Sequence, residues 1–142
     1  MTTIWGMTPK QSILLECDRR GRILCVRDCI AILSDHTADA DFLRVIGGPS
    51  AEIVLDGRAG GLEGYWPRVW AARGLLHVWD DVATDAIIAA TTNDSWRVRE
   101  MSAKVIARHH VSPAIDAVVS LLGDDNARVR TAARRAFDAV AD

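Results

Sequence analysis

The chain has 142 residues, 49% of them hydrophobic and 25% charged, with a formal net charge of −2. A core of that size needs neither disulfides nor a structural metal, and the composition excludes disordered, collagen-like and disulfide-scaffold chains. No run approaches the ~18–20 apolar residues of a membrane span, the first residues lack the pattern of a secretory signal, and three cysteines suit a reducing, cytoplasmic setting.

Charge is balanced along the chain. Residues 1–64 carry seven basic and nine acidic side chains, and residues 65–142 carry ten of each. A local excess stands out: residues 97–135 hold eight Arg or Lys against four acids. A nucleic-acid protein usually shows a basic face because phosphate neutralisation dominates its affinity. The balance therefore disfavours nucleic acid as a partner and reads the local excess as a solvated helix face.

In chain order, Thr8 and Pro9 start a helix through Ile13, Leu14 and Cys17, which Gly21 ends. Residues 23–34 form a second helix, and Asp39 caps a short third one through Phe42, Val45 and Ile46. Residues 9–46 thus form an N-terminal helical cap or degenerate repeat. Six of the ten glycines fall between Gly47 and Gly64, an irregular connector with one short helix over residues 50–55. Connectors of that length inside a domain are often functional or mobile. It lacks the Gly-Lys-Ser/Thr ending of a phosphate loop.

From residue 65 the chain repeats itself. Asp94, Arg97, Val98 and Arg99 recur 31 residues later as Asp125, Arg128, Val129 and Arg130. A third copy begins at Pro67, Arg68 and Val69, and a weaker one at Val26 and Arg27. Each copy places apolar residues at i, i+3, i+4 and i+7, one face of a helix. Between the copies lies a second kind of helix. One has Ile115, Val118, Val119 and Leu122 between a Ser112–Pro113 start and a Gly123 stop; Ile87 and Ile88 match Val118 and Val119 one repeat earlier. Helix pairs of this kind must stack to bury both faces.

The motif Asp-x-x-Arg-Val-Arg followed by an apolar helix resembles the short HEAT-like repeats first described in phycobilisome lyases. The likeness is clearest over residues 65–142, looser over 9–46, and excludes 47–64. It implies an all-α, right-handed α-α superhelix (a HEAT-like solenoid) of stacked antiparallel helix pairs. Three to four repeats with a helical cap make a single domain over 1–142. The function it implies is a non-catalytic protein-protein interaction module, an adaptor or regulatory scaffold whose partner is another protein. The alternative is a DNA-binding or DNA-repair glycosylase-like HEAT protein. Trp79 with Asp80, or Trp66, would then take the place of the Trp and Asp that hold damaged DNA.

The expected core includes Val69, Leu76, Val98, Val105, Val129 and Phe137, with Asp94 and Asp125 as N-caps. The expected binding residues are Trp66, Trp70, Arg73, Trp96, Arg99 and Arg130. Trp70, Arg99 and Arg130 occupy equivalent positions, predicting a row along one edge with a Trp70–Arg99 cation–π contact. Arg73 falls at an inward position, so a carboxylate from Asp80, Asp81 or Asp85 is expected beside it, since an unpaired buried guanidinium is costly. No catalytic group, metal or cofactor is expected. Cys25 and Cys29, with Cys17 and His36 nearby, read as core rather than ligands. Ser34, Asp35 and His36 are merely neighbours in sequence, and His109 and His110 complement a helix end.

Overall fold

A computed structural model describes residues 6–34 and 38–141, so Asp35 and His36 lie outside the described residues. The chain divides into two compact units, Met1–Asp80 and Asp81–Asp142. Every regular element among the described residues is helical.

In the first unit, α1 (Pro9–Arg20) starts at a capping box. Thr8 accepts from the backbone N–H of Gln11, whose side chain accepts from that of Thr8, and Gly21 closes the helix as expected. Helix α2 (Arg22–Leu33) buries Cys25, Val26, Cys29 and Ile32. Helix α3 (Ala40–Gly47) is capped by Asp39, which accepts from Phe42 N–H, and buries Phe42, Leu43 and Ile46. Ser12 Oγ donates to Val45 O at 2.7 Å, tying α1 to α3. Arg20, beside the nearly buried Glu16, reaches Asp28 on α2.

The glycine-rich stretch is more ordered than an irregular connector. It carries α4 (Ala51–Leu55), flanked by 3-10 turns at Gly48–Ser50 and Gly61–Glu63, and buries Ala51 and Val54. The buried Arg68 on α5 (Trp66–His77) pins it by donating from Nη1 to Leu62 O at 3.0 Å and Gly64 O at 2.7 Å. That guanidinium was not legible as an organiser in the sequence.

Helix α5 packs against α1, α2 and α3 and is buried from Pro67 to Ala72. Gly74 allows this approach: a Cβ there would lie 2.9 Å from Ile13 Cδ1 and 3.1 Å from Cys29 Sγ. The close contact draws Leu75 fully into the core and leaves Leu76 half-buried, a one-residue departure from the expected register.

In the second unit the repeat is regular. A 3-10 turn at Asp81–Ala83 leads into α6 (Thr84–Ala90), followed by α7 (Trp96–His109). The turn Ser112–Ala114, α8 (Ile115–Leu121) and α9 (Ala127–Val140) repeat them. All three elements recur at an offset of 31, matching the spacing in the sequence. Helix α6 packs on α7, α8 on α9, and α7 on α9; the short links make α6/α7 and α8/α9 antiparallel pairs. Ala83, Ile87 and Ala90 are buried, as are their counterparts Ala114, Val118 and Leu121. The i, i+4, i+7 spacing leaves Val119 half exposed, contrary to the expected stripe. Val98, Val105 and Val129 are fully buried and Val69 nearly so. Phe137 is only half-buried because Ala133 and Ala136 occupy the centre of the α9 face.

Candidate functional site

In the first unit the aromatic cluster lies at the start of α5. Tyr65 and Trp66 have ring centroids 5.1 Å apart, and Trp66 stacks on Trp70 at 6.3 Å. Trp70 is 5% exposed and abuts Gly47, where a Cβ would lie 2.6 Å from its ring. Trp66 is half-buried and lines, with Trp70, Ile53, Val54 and Ala59, an apolar depression of about 260 Å³. Ile53, Leu62 and Tyr65 are exposed.

Arg73 is partly buried, as the register requires, but its partner is not a carboxylate. Its Nη2 donates to Ile46 O at 2.6 Å, the free carbonyl end of α3, and desolvation lowers its pKa. The carbonyl end of a helix carries partial negative charge, which offsets part of the cost of burying the cation. Trp79 and Asp80 are tied to α2: Arg22 donates to Trp79 O at 3.2 Å and lies 3.7 Å from the Asp80 carboxylate.

Cys25 and Cys29 are buried and Cys17 half-buried, all as free thiols. Burial is the main cause raising the Cys25 thiol to about 12 and the Cys29 thiol well above its usual value. Such thiols are poor nucleophiles and poor metal ligands at neutral pH. No group of three His, Cys, Asp or Glu among the described residues is arranged to hold a metal ion, and no described helix is long and apolar enough to cross a membrane.

The second unit places its polar residues at the turns before α7 and α9. The N-caps are Ser95 and Asn126, one residue beyond the expected Asp94 and Asp125. The preceding side chains, Asn93 and Asp124, accept from the backbone N–H of Ser95 and Asn126. These short Asx turns set the cap one position later than an Asp before a helix suggests. Arg99 Nη1 donates to Asn93 O at 2.9 Å and Asp94 O at 3.0 Å; Arg130 Nη1 does the same to Asp124 O and Asp125 O. Arg99 also grips the Asp124 carboxylate through Nε at 2.8 Å and Nη2 at 3.1 Å.

Each of the three equivalent positions, Trp70, Arg99 and Arg130, has its own surroundings within its unit. Trp70 is enclosed by its own unit, Arg99 is mostly buried against Asp124, and only Arg130 is exposed. The carboxylate that meets Arg99 is that of Asp124, while Asp94 and Asp125 offer their backbone carbonyls to Arg99 and Arg130. Asn93 and Asp124 share the offset of 31; that alignment was the available signal.

Trp96 is half-buried, with the Arg97 guanidinium 4.5 Å and the Arg128 guanidinium 5.0 Å from its ring centroid. Arg128 also binds the nearly buried Glu100 in a fork, Nε at 3.0 Å and Nη2 at 3.1 Å. The sequence singled out Trp96 but neither Arg128 nor Glu100.

The profile of HEAT repeats matches residues 65–138. No curated protein and no solved structure gives a significant match. The matched segment covers α5 through most of α9, where the 31-residue period, the turn-bound arginines and the paired helices have been described. With more than half of its length accounted for in this way, the chain belongs to the HEAT-repeat family.

Proposed function

We propose that this protein is a non-catalytic protein-interaction module, an adaptor or regulatory scaffold of the short-repeat type first described in phycobilisome lyases, acting in the cytoplasm on another protein. HEAT repeats generally serve protein interactions. The observation that carries the proposal is the Trp66 depression. A half-buried tryptophan at an apolar recess, beside exposed Ile53, Leu62 and Tyr65, has the composition of an interface core. Trp66 and Trp96 are the contact residues in this proposal. Trp70, Arg73 and Arg99 act as supports, because their polar or aromatic surface is spent inside the fold. In the second unit Arg130 is exposed beyond its turn. Three free thiols support a reducing compartment.

The test is cross-linking of the purified chain in an extract, then reconstitution with the purified protein identified and calorimetric titration. Trp66→Ala is expected to weaken that binding by about tenfold or more while the melting temperature holds. Tight duplex DNA binding and release of an alkylated base would instead establish the glycosylase-like alternative and overturn this proposal.

A further inference from the structure

The parallel helices α7 and α9 leave a polar trough on the surface of the second unit. It has a volume of about 290 Å³ and is lined by Glu100 and Lys104 on α7 and Arg128, Thr131 and Arg135 on α9. Three cations thus face one carboxylate. That carboxylate is already satisfied: Arg128 binds it in a fork and Lys104 Nζ lies 3.7 Å away. Glu100 is nearly buried, whereas the Arg128 and Lys104 side chains remain 66% and 41% exposed. Arg135 is exposed and has no hydrogen-bond or ion-pair partner among the described residues.

The cations are placed by the repeat. Lys104 and Arg135 are equivalents at an offset of 31, as are Arg97 and Arg128. Seven residues separate the two positions on each helix, about 10.5 Å along the axis. The helix axes of a packed pair lie about 8–10 Å apart. The positive face is therefore roughly as wide as it is long. Arg128 is fixed at one corner by Glu100 and by the Trp96 ring, which lowers the entropy that a charged side chain loses on binding.

We propose that the α7/α9 trough is a docking site for an acidic peptide segment of the partner protein. Two carboxylates three residues apart in an extended segment are separated by about 9–10 Å, the distance between the two levels of cations. One is received by Arg135 with Lys104 and the other by the outward side of Arg128, with Thr131 between them. An acidic protein segment fits better than a nucleic acid. The chain carries a net charge of −2, and Glu100 sits within the positive face. A polyphosphate derives its affinity from neutralisation along many successive phosphates, whereas two carboxylates need only the three cations of the trough.

This proposal rests on the interaction-module reading, and its test separates the two. The probe is fluorescein-labelled hexaglutamate, followed by fluorescence anisotropy with the full chain at low and physiological salt. Hexaserine and a short DNA duplex serve as comparators. Hexaglutamate is expected to bind and to weaken with salt, with Arg135→Glu reducing affinity about tenfold. Lys104→Gln is expected to weaken it in the same direction, and Arg27→Glu on the exposed side of α2 to leave it unchanged. Circular dichroism melting checks that each variant is folded.

The trough assignment fails if hexaglutamate does not bind, or if both trough variants bind it like the parent. A reconstituted partner that still binds the chain in either case would leave the interaction-module reading standing. Tighter binding of the DNA duplex than of hexaglutamate at equal salt would overturn the acidic-peptide assignment.

Discussion

Arg99 and Asp124 join consecutive repeats across 25 residues of sequence through two hydrogen bonds, Nε to Oδ2 at 2.8 Å and Nη2 to Oδ1 at 3.1 Å. The same guanidinium closes the turn of its own repeat on Asn93 O and Asp94 O. The same carboxylate accepts from Asn126 N–H at the start of α9. Two turns are thus set by one ion pair, and both partners are largely shielded from solvent.

Removing either partner strands the other. Asp124→Ala is expected to cost about 1–3 kcal/mol, above the value for an exposed pair, because a forked and partly buried contact is lost together with a backbone acceptor. Arg99→Ala is expected to cost a similar amount, and the double variant less than the sum. Urea unfolding of the four proteins gives the coupling, and strict additivity would refute the clasp.

The same pair sets an acid limit. The hydrogen bond from Arg99 is the main cause holding the Asp124 carboxyl below its usual range. A depressed native pKa contributes stability that is fully present above the unfolded value and is lost as pH falls through the native one. Parent stability is therefore expected to fall below about pH 4, with a smaller fall in Asp124→Asn. Equal slopes for the two proteins over that range would contradict the assignment.

The caps separate adjacent residues. Asn126 accepts from Arg128 N–H and Val129 N–H, so Asn126→Ala is expected to cost about 1 kcal/mol. The exposed carboxylate of Asp125 caps nothing, so Asp125→Ala should stay within about 0.5 kcal/mol. Thermal unfolding of the two variants distinguishes them, and the reverse order would restore Asp125 as the cap.

Gly47 is expected to resist substitution more than Gly74. An alanine Cβ at Gly47 would press to 2.6 Å against the rigid Trp70 ring, and such overpacking costs about 1–3 kcal/mol. At Gly74 the closest atom is the terminal methyl of Ile13, which can rotate, and a helix-interior alanine recovers up to about 1 kcal/mol. Gly47→Ala should therefore be the less stable variant and should shift the tryptophan emission. If Gly74→Ala proved the worse of the two, the Trp70 contact would be looser than described.

Val98 lies in the first turn of α7 and has no exposed surface. Val98→Asp is expected to destabilise the second unit by about 3 kcal/mol or more, since a buried carboxylate there has no partner. Denaturant titration followed by circular dichroism measures it, and a midpoint like the parent's would remove Val98 from the core.

The sequence made the periodic parts legible. The Arg-Val-Arg triplet and its 31-residue echo are local patterns, and so are the Thr8, Asp39 and Gly21 helix boundaries. Each is read from the order of the residues alone, the boundaries from neighbours within one or two turns and the echo from a fixed spacing. The parts that escaped depend on distant neighbours. Trp70 is buried because α1, α2 and α3 enclose α5, which its own helix does not disclose. Arg73 takes a backbone carbonyl from Ile46, 27 residues away, and a carbonyl has no signature in a list of side chains. Leu75 replaces Leu76 because Gly74 lets two helices approach closely. Of the binding residues, Trp66 and Trp96 keep partly open surface, whereas Arg128 and Glu100 became visible only once α7 and α9 lay side by side.

The ties between the two repeats of the second unit have a kinetic consequence. Arg99 to Asp124 spans 25 residues and Arg128 to Glu100 spans 28, so both close loops shorter than one repeat. Loop-closure entropy grows only slowly with length, and chains rich in near-neighbour contacts fold fast. The second unit should therefore assemble in quick local steps, each hairpin docking on the one before it. Its search for the native state is set by the repeat length rather than by the length of the whole chain.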